Sequence, residues 1–194
     1  MVTIIFSQSR ASVLVSRPRM PNLYVTHFAS SIGELTIASS DQGLAYLALP
    51  RASGRGFAGW CRRYASDHTI KEDAEPNGIA VDQVAEFLAG ERETFKLPLD
   101  LRATSFQLDV YRVVAEIPYG ESLAYGDVAR RVGRATAVRA VGAANGANPI
   151  PLVIPCHRVL ASNGQLHGYG GGLELKGKLL AMESASHPAQ GALF

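Results

Sequence analysis

Residues 148–160 read NPIPLVIPCHRVL, and Pro149, Pro151 and Pro155 exclude a helix through this segment. A proline ring fixes φ and removes a backbone donor. The residue before each proline is pushed toward extended geometry. Asn148, Ile150 and Ile154 therefore take β or polyproline backbone, and the apolar run 151–154 reads as a short buried strand. Asn148 has the side chain to bond its own backbone and brace the turn into that strand. The run ends on Cys156, His157 and Arg158 in succession. A thiol is a strong nucleophile only as the thiolate, and nearby cationic or histidine groups lower its pKa. Against that, adjacent side chains diverge, and a buried cysteine is commonly an inert core residue. From these residues alone both readings stand.

The rest of the composition narrows the classes. The chain has 194 residues, 47% of them hydrophobic, enough for one large domain or two small ones. Its two cysteines, Cys61 and Cys156, make no disulfide framework. No CxxC or Cys/His cluster suggests a metal, so no metal and no cofactor are expected. A reducing, cytoplasmic compartment fits, and no apolar run approaches the roughly 18–20 residues of a membrane span. The net charge of +2 is too small to argue for nucleic acid by itself. Its distribution says more: residues 20–104 carry 8 Lys and Arg against 11 Asp and Glu, and residues 105–183 carry 8 against 6. A polyanion should prefer the second half. Residues 1–21, with three arginines, four serines and no acid, read as a disordered extension. A transit peptide, or an upstream start with Met20 as the true first residue, are the alternatives.

Along the chain, 24–50 alternates and is broken at Ile32-Gly33 and Asp41-Gln42-Gly43, which predicts two or three antiparallel strands. Residues 57–65 predict a short helix burying Trp60, Cys61 and Tyr64, and 78–92 an amphipathic helix on the stripe Val81, Val84, Ala85 and Leu88. Residues 95–101 are a strand or extended linker. The second half reads as helical. A helix over 105–117 has Ser105 as N-cap and Phe106, Val110, Val113 and Val114 as its stripe. Helices over 124–133, closed by Gly133, and 136–148, with Thr136 as N-cap, give the outline of a helix-turn-helix. A last helix covers 177–184. The second helix of the pair is lined by Ala137, Ala140, Gly142, Ala143, Ala144 and Gly146, with Arg139 its one charge. Such a smooth surface serves close packing against another helix, or close approach to a narrow groove.

PCHRV at 155–159, preceded by AVRAVGAANGANPIPLVI, resembles the active-site signature of the O6-alkylguanine-DNA alkyltransferases, the methylated-DNA–protein-cysteine methyltransferases. The resemblance continues through 104–133 and GYGGGLELKGKLLAMES at 168–184, and more loosely through SSIGELTIASSDQGL in the first half. It implies an α/β fold in four parts: the extension 1–21; a three-stranded, ribonuclease-H-like domain over 22–101; a winged-helix-like domain with the helix-turn-helix over 102–185; and a tail over 186–194. It implies an alkyl acceptor, Cys156. His157 would help deprotonate the thiol through a water, Glu183 would orient that histidine, Asn148 would brace the turn, and Tyr125 would donate a proton toward the departing guanine. The second helix would enter the minor groove through Thr136, Ala140 and Ala143, with Arg139 filling the place of an extruded base. Val159, Tyr169 and Gly170 would wall the base pocket. The implied partner is double-stranded DNA with an alkylated guanine, bound by a monomer. O4-alkylthymine stays open as a second substrate. The sequence departs from the family's frequent tryptophan at Tyr111 and serine at Ala124, and shows no counterpart of the zinc ligands of some relatives. Two other classes share parts of this pattern. Binding-only relatives lack the cysteine that is present here. A cysteine hydrolase would bring its histidine from a distant part of the chain.

Overall fold

The computed structural model describes residues 20–50 and 56–186, so the extension apart from Met20 and Pro21, and the tail apart from Ser186, lie outside the described residues. The amino-terminal half is a sheet of order β3-β2-β1-β4, formed by β1 (Asn22–Ser30), β2 (Gly33–Ser40), β3 (Gly43–Ala48) and β4 (Thr69–Glu72). The three expected strands are antiparallel neighbours joined by two-residue loops. The fourth, parallel to β1, is an addition to the expectation. All four of its residues are exposed, and Lys71 and Glu72 are charges of the kind that protect an edge from further pairing. Such a strand has no alternation to detect.

β3 carries one extra residue between the pairs Ser39–Leu44 and Ala38–Tyr46. This bulge reverses the alternation, so Leu44 and Leu47 face one apolar cluster while Ala45 and Tyr46 face another. The second cluster holds α1 (Gly56–Tyr64) through Trp60 and Cys61. The first holds α2 (Gly78–Leu88). The buried face of α2 is Ala80, Gln83, Val84 and Phe87, which is rotated from the expected stripe and leaves Ala85 exposed. Gln83 explains the rotation. Its amide accepts from Lys96 N–H at 2.8 Å and donates to Lys96 C=O at 3.1 Å, pinning the extended 95–101 segment beside the helix.

In the carboxy-terminal half, α3 (Ser105–Ala115) is capped by Thr104, not Ser105, because Thr104 and Gln107 bond reciprocally across the first turn. α4 (Tyr125–Arg131) starts at Ala124, whose N–H is accepted by Asp127 while its methyl offers no acceptor in return. α5 (Val138–Gly146) begins two residues after Thr136, which is exposed and caps nothing. Tyr111 donates to Ala144 C=O at 3.1 Å, and Val110, Val114, Val128 and Val141 close the core between these three helices. Two short strands, β5 (Leu123–Ala124) and β6 (Val159–Leu160), pair in parallel. α6 (Leu173–Ser186) is longer than expected.

The 151–154 segment is a tight turn rather than a strand. Ile154 N–H returns to Ile150 C=O at 3.0 Å, and Leu152 takes a positive φ of 74° while 1% exposed. Prolines so closely spaced remove the donors a ladder needs, and the segment closes on itself. Ile150, Leu152 and Leu179 enter the same cluster as Leu35 and Leu47, and Leu47 N–H bonds Pro149 C=O at 2.8 Å. The sheet therefore buttresses the turn that carries Cys156.

Gly43 has φ +136°, and a Cβ there would run into the Pro98 carbonyl that accepts from Leu44 N–H at 2.9 Å. Gly43→Ala should lower the unfolding free energy by about 2 kcal/mol or more. Gly133→Ala meets open space and should cost only the backbone penalty of about 1 kcal/mol. Denaturant melts of the two variants check the order, and equal losses would contradict it.

Candidate active site

Cys156 sits on a backbone fixed from both sides. Pro155 forms an inverse γ-turn, φ −78° and ψ 64°, with Cys156 N–H bonded to Ile154 C=O at 2.7 Å. Asn148 bonds both ends of the turn: its Oδ1 accepts from Ile150 N–H at 3.0 Å and its Nδ2 donates to Ile154 C=O at 2.8 Å. Asn145, which the sequence reading did not single out, donates to Cys156 C=O at 3.1 Å. Beyond the cysteine, one 3-10 turn, Cys156–Arg158, leads into β6.

The expected depression of the thiol pKa is not what the fold produces. Burial pushes Cys156 up to about 11, and the Asn148 amide and the Lys176 ammonium offset only part of that. Neither sequence neighbour supplies a charge to the sulfur. Arg158 turns away, and the cation that acts on Cys156 is Lys176, 20 positions along the chain. The resting side chain is therefore a neutral thiol.

Arg158 is committed to Glu183. The carboxylate of Glu183 is wholly buried and accepts from His157 Nε2 at 2.7 Å, Arg158 Nε at 2.9 Å and Nη2 at 3.0 Å, and Gly120 N–H at 3.2 Å. Arg158 Nη1 also donates to Ile117 C=O at 2.6 Å. Burial alone would raise the carboxyl pKa, but the bonds from His157 and Arg158 outweigh it and hold the group ionised. His157 is fully buried, and desolvation lowers its pKa against the pull of Glu183. A neutral imidazole that donates from Nε2 carries its lone pair on Nδ1. That Nδ1 is buried and has no partner. The set is thus a carboxylate, an oriented imidazole and a free basic nitrogen on the residue next to the thiol.

The remaining site residues fall into two groups. Cys156, Asn145, Asn148, Tyr169 and Gly170 line a cavity of about 390 Å³ whose lining also includes Trp60. The Tyr169 hydroxyl is buried without a partner, and its ring meets His157 edge-on with centroids 6.3 Å apart. Tyr125 lies outside this lining, at the start of α4, held at the level of the site by the β5–β6 pairing. Its hydroxyl donates to His167 C=O at 3.3 Å. The Val159 side chain is a core residue at 0% exposure rather than a cavity wall, because β6 turns it toward Val110 and Val141. What Val159 offers the site is its carbonyl, which accepts from Lys176 Nζ at 2.7 Å. Arg139, Ala140 and Ala143 are all exposed on α5, and Thr136 is exposed just before it. Lys176 also escaped the sequence reading, although a signal was present. Lys176, Leu179 and Glu183 are the buried residues of α6 at i, i+3 and i+7, so two charges share a helix face with a core leucine.

Comparison with known proteins agrees with this geometry. Residues 23–101 match the ribonuclease-like domain, and residues 105–185 the DNA binding domain, of 6-O-methylguanine DNA methyltransferase. The chain belongs to the methylated-DNA–protein-cysteine methyltransferase family. It is 42% identical over 166 residues to the methyltransferase of Mycolicibacterium paratuberculosis, covering 85% of this chain and 94% of that one. It is 37% identical to the inducible methyltransferase of Bacillus subtilis, covering 84% and 91%. Among solved structures, Mycobacterium tuberculosis OGT in complex with DNA superposes with a TM-score of 0.73 at 38% identity, covering 86% of this chain and 96% of that one. No helix among the described residues is long and apolar enough to cross a membrane.

For this methyltransferase the thiol state is directly measurable. The rate at which iodoacetamide labels the Cys156 peptide should rise about tenfold per pH unit from about pH 7 to about pH 10, because only the thiolate reacts. With the pKa pushed up to about 11, no plateau should appear in that window. A plateau near pH 8 would contradict a neutral resting thiol.

Proposed function

We propose that the protein repairs DNA by moving an alkyl group from O6 of guanine onto Cys156, once per molecule. The observation that carries this reading is the buried Glu183–His157 pair, whose free Nδ1 belongs to the residue beside the thiol at the end of a cavity. The reactive carbon lies inside the duplex, so the base must first be extruded, at a cost of a few kcal/mol. Arg139 is exposed on a helix face of small residues, suited to a minor groove about 6 Å wide, and fills the vacated place in the stack.

The proton balance follows from the protonation states. The thiol proton passes to His157 Nδ1 through one bridging water, and Glu183 stabilises the imidazolium that forms. The Cys156 thiolate then attacks the alkyl carbon. The carbon–sulfur bond forms as the carbon–oxygen bond breaks, and the electron pair leaves on guanine. Tyr125 gives its hydroxyl proton to that anion, and His157 restores it. The net change is one thioether formed and one guanine regenerated, with no cofactor consumed. A thioether has no carbonyl for water to attack, and thiolate is a poor leaving group from saturated carbon, so the sulfur stays alkylated. The chain would act as a monomer in the cytoplasm.

A titration against excess O6-methylguanine duplex, followed to completion, should reach a plateau near one equivalent, with the added methyl on the Cys156 peptide. Steady repair past that plateau would replace the acceptor mechanism with a hydrolytic one. Arg139→Ala should slow repair in duplex DNA by roughly tenfold or more while leaving reaction with free O6-methylguanine base much less affected. Equal losses on both substrates would remove Arg139 from base extrusion.

A further inference from the structure

Lys176 is 0% exposed on α6, and a buried ammonium is costly unless it is hydrogen-bonded. Its Nζ donates to Val159 C=O at 2.7 Å and to His167 C=O at 2.8 Å. These two carbonyls bound the segment between β6 and the glycine-rich wall of the cavity, so one side chain fixes where Tyr169 and Gly170 begin. His167 C=O has a second donor, the Tyr125 hydroxyl at 3.3 Å. A carbonyl oxygen has two lone pairs and can serve both. The Lys176 ammonium also lies 5.9 Å from the centroid of the Tyr125 ring. Helices α4 and α6 thus meet on one oxygen.

The two bonds to that oxygen are unequal. The ammonium bond is short and charge-assisted. The hydroxyl bond is longer than the roughly 2.5–3.0 Å usual for O–H···O, so it is the one that exchanges. To give its proton to a departing guanine, Tyr125 has to turn its hydroxyl away from His167. Were Tyr125 the only donor, that turn would strand a carbonyl acceptor, which is costly. We propose that Lys176 is a positioning residue for the transfer reaction: it places the His167 carbonyl that holds the Tyr125 hydroxyl at the site, and it keeps that carbonyl paired when the hydroxyl leaves. This rests on the reading that Tyr125 is the proton donor to guanine.

Lys176 has one competing use. Its charge also favours the Cys156 thiolate, against the larger opposing effect of burial. The two uses leave different marks. A charge acting on the sulfur alters every reaction of the thiol, whichever residue stands at 125. A hold on the His167 carbonyl matters to transfer through the Tyr125 hydroxyl, and its effect vanishes when that hydroxyl is absent. Residues that work through one another lose less together than the product of their separate losses, whereas independent residues multiply.

The test is single-turnover methyl transfer from an O6-methylguanine duplex by the wild type, Lys176→Met, Tyr125→Phe and the double variant. Lys176→Met should slow transfer at saturating duplex by about tenfold, the scale of one buried hydrogen bond, while moving the half-saturating concentration less than about threefold. In the Tyr125→Phe background the same substitution should cost less than about threefold. Iodoacetamide labelling of Cys156 measures what Lys176 does for the thiol alone, and the loss that survives in the phenylalanine background should match the labelling loss. Lys176→Gln, which removes the charge and shortens the reach, replaces the methionine variant if that one does not fold. Losses that multiply in the double variant overturn the inference and leave the repair reading intact. So does a transfer loss, beside Tyr125, no larger than the labelling loss. A Tyr125→Phe variant that transfers methyl as fast as the wild type overturns the proton-donor reading, and the inference with it.

Discussion

The carboxylate of Glu183 is fully buried and gathers hydrogen bonds from the turn at 157–158 and from the backbone of Gly120, while the same arginine reaches on to Ile117 C=O. Three stretches of chain, α6, the cysteine turn and the loop after α3, therefore meet on one charge. Removing one partner of such a buried pair typically costs about 3–5 kcal/mol, because the other is left charged in a dry interior. The neutrality of His157 depends on the same arrangement. Arg158 supplies the counter-charge that Glu183 needs, so the imidazole does not have to be protonated to satisfy it. The network keeps a base available where a simple Glu–His pair would have favoured the imidazolium.

The second constraint is the proline turn. Leu152 holds a positive φ, a conformation that costs about 1–3 kcal/mol for a residue with a Cβ. It persists because Leu152 is packed between Leu179 of α6 and the sheet, and because Asn148 closes both ends of the turn. The amino-terminal half thus contributes to the site without supplying a group to the proposed proton relay. Leu47 holds Pro149, and Trp60 lines the same cavity as the cysteine.

What could be read from the sequence was what is local. The helices of the second half follow from the 3.6-residue period, and Cys156, His157 and Asn148 stand together in ten residues. What could not be read was decided by contacts distant in the chain. The 151–154 run has the apolar character of a buried strand, but a ladder needs donors that proline lacks. β4 and the β5–β6 pair are too short or too exposed to show a period. Adjacent basic residues suggested a depressed thiol pKa, yet the sulfur answers to burial first and to Lys176 from another helix. The rotated face of α2 turns on one glutamine bonded to a segment 13 positions away. The charged pair on α6 was legible in principle, since Lys176 and Glu183 share the helical spacing of Leu179.

A pKa of about 11 has a consequence for the working life of the protein. At neutral pH the thiolate is a minor form, and the thiolate is what peroxide and stray electrophiles consume. A catalyst that regenerates itself tolerates occasional side reactions of its nucleophile. A protein that spends its sulfur once loses a whole molecule to each of them. Keeping the thiol protonated and 4% exposed makes the cysteine a reagent with a long shelf life. Slow intrinsic chemistry at rest is then what lets the cell hold a stock of unspent protein.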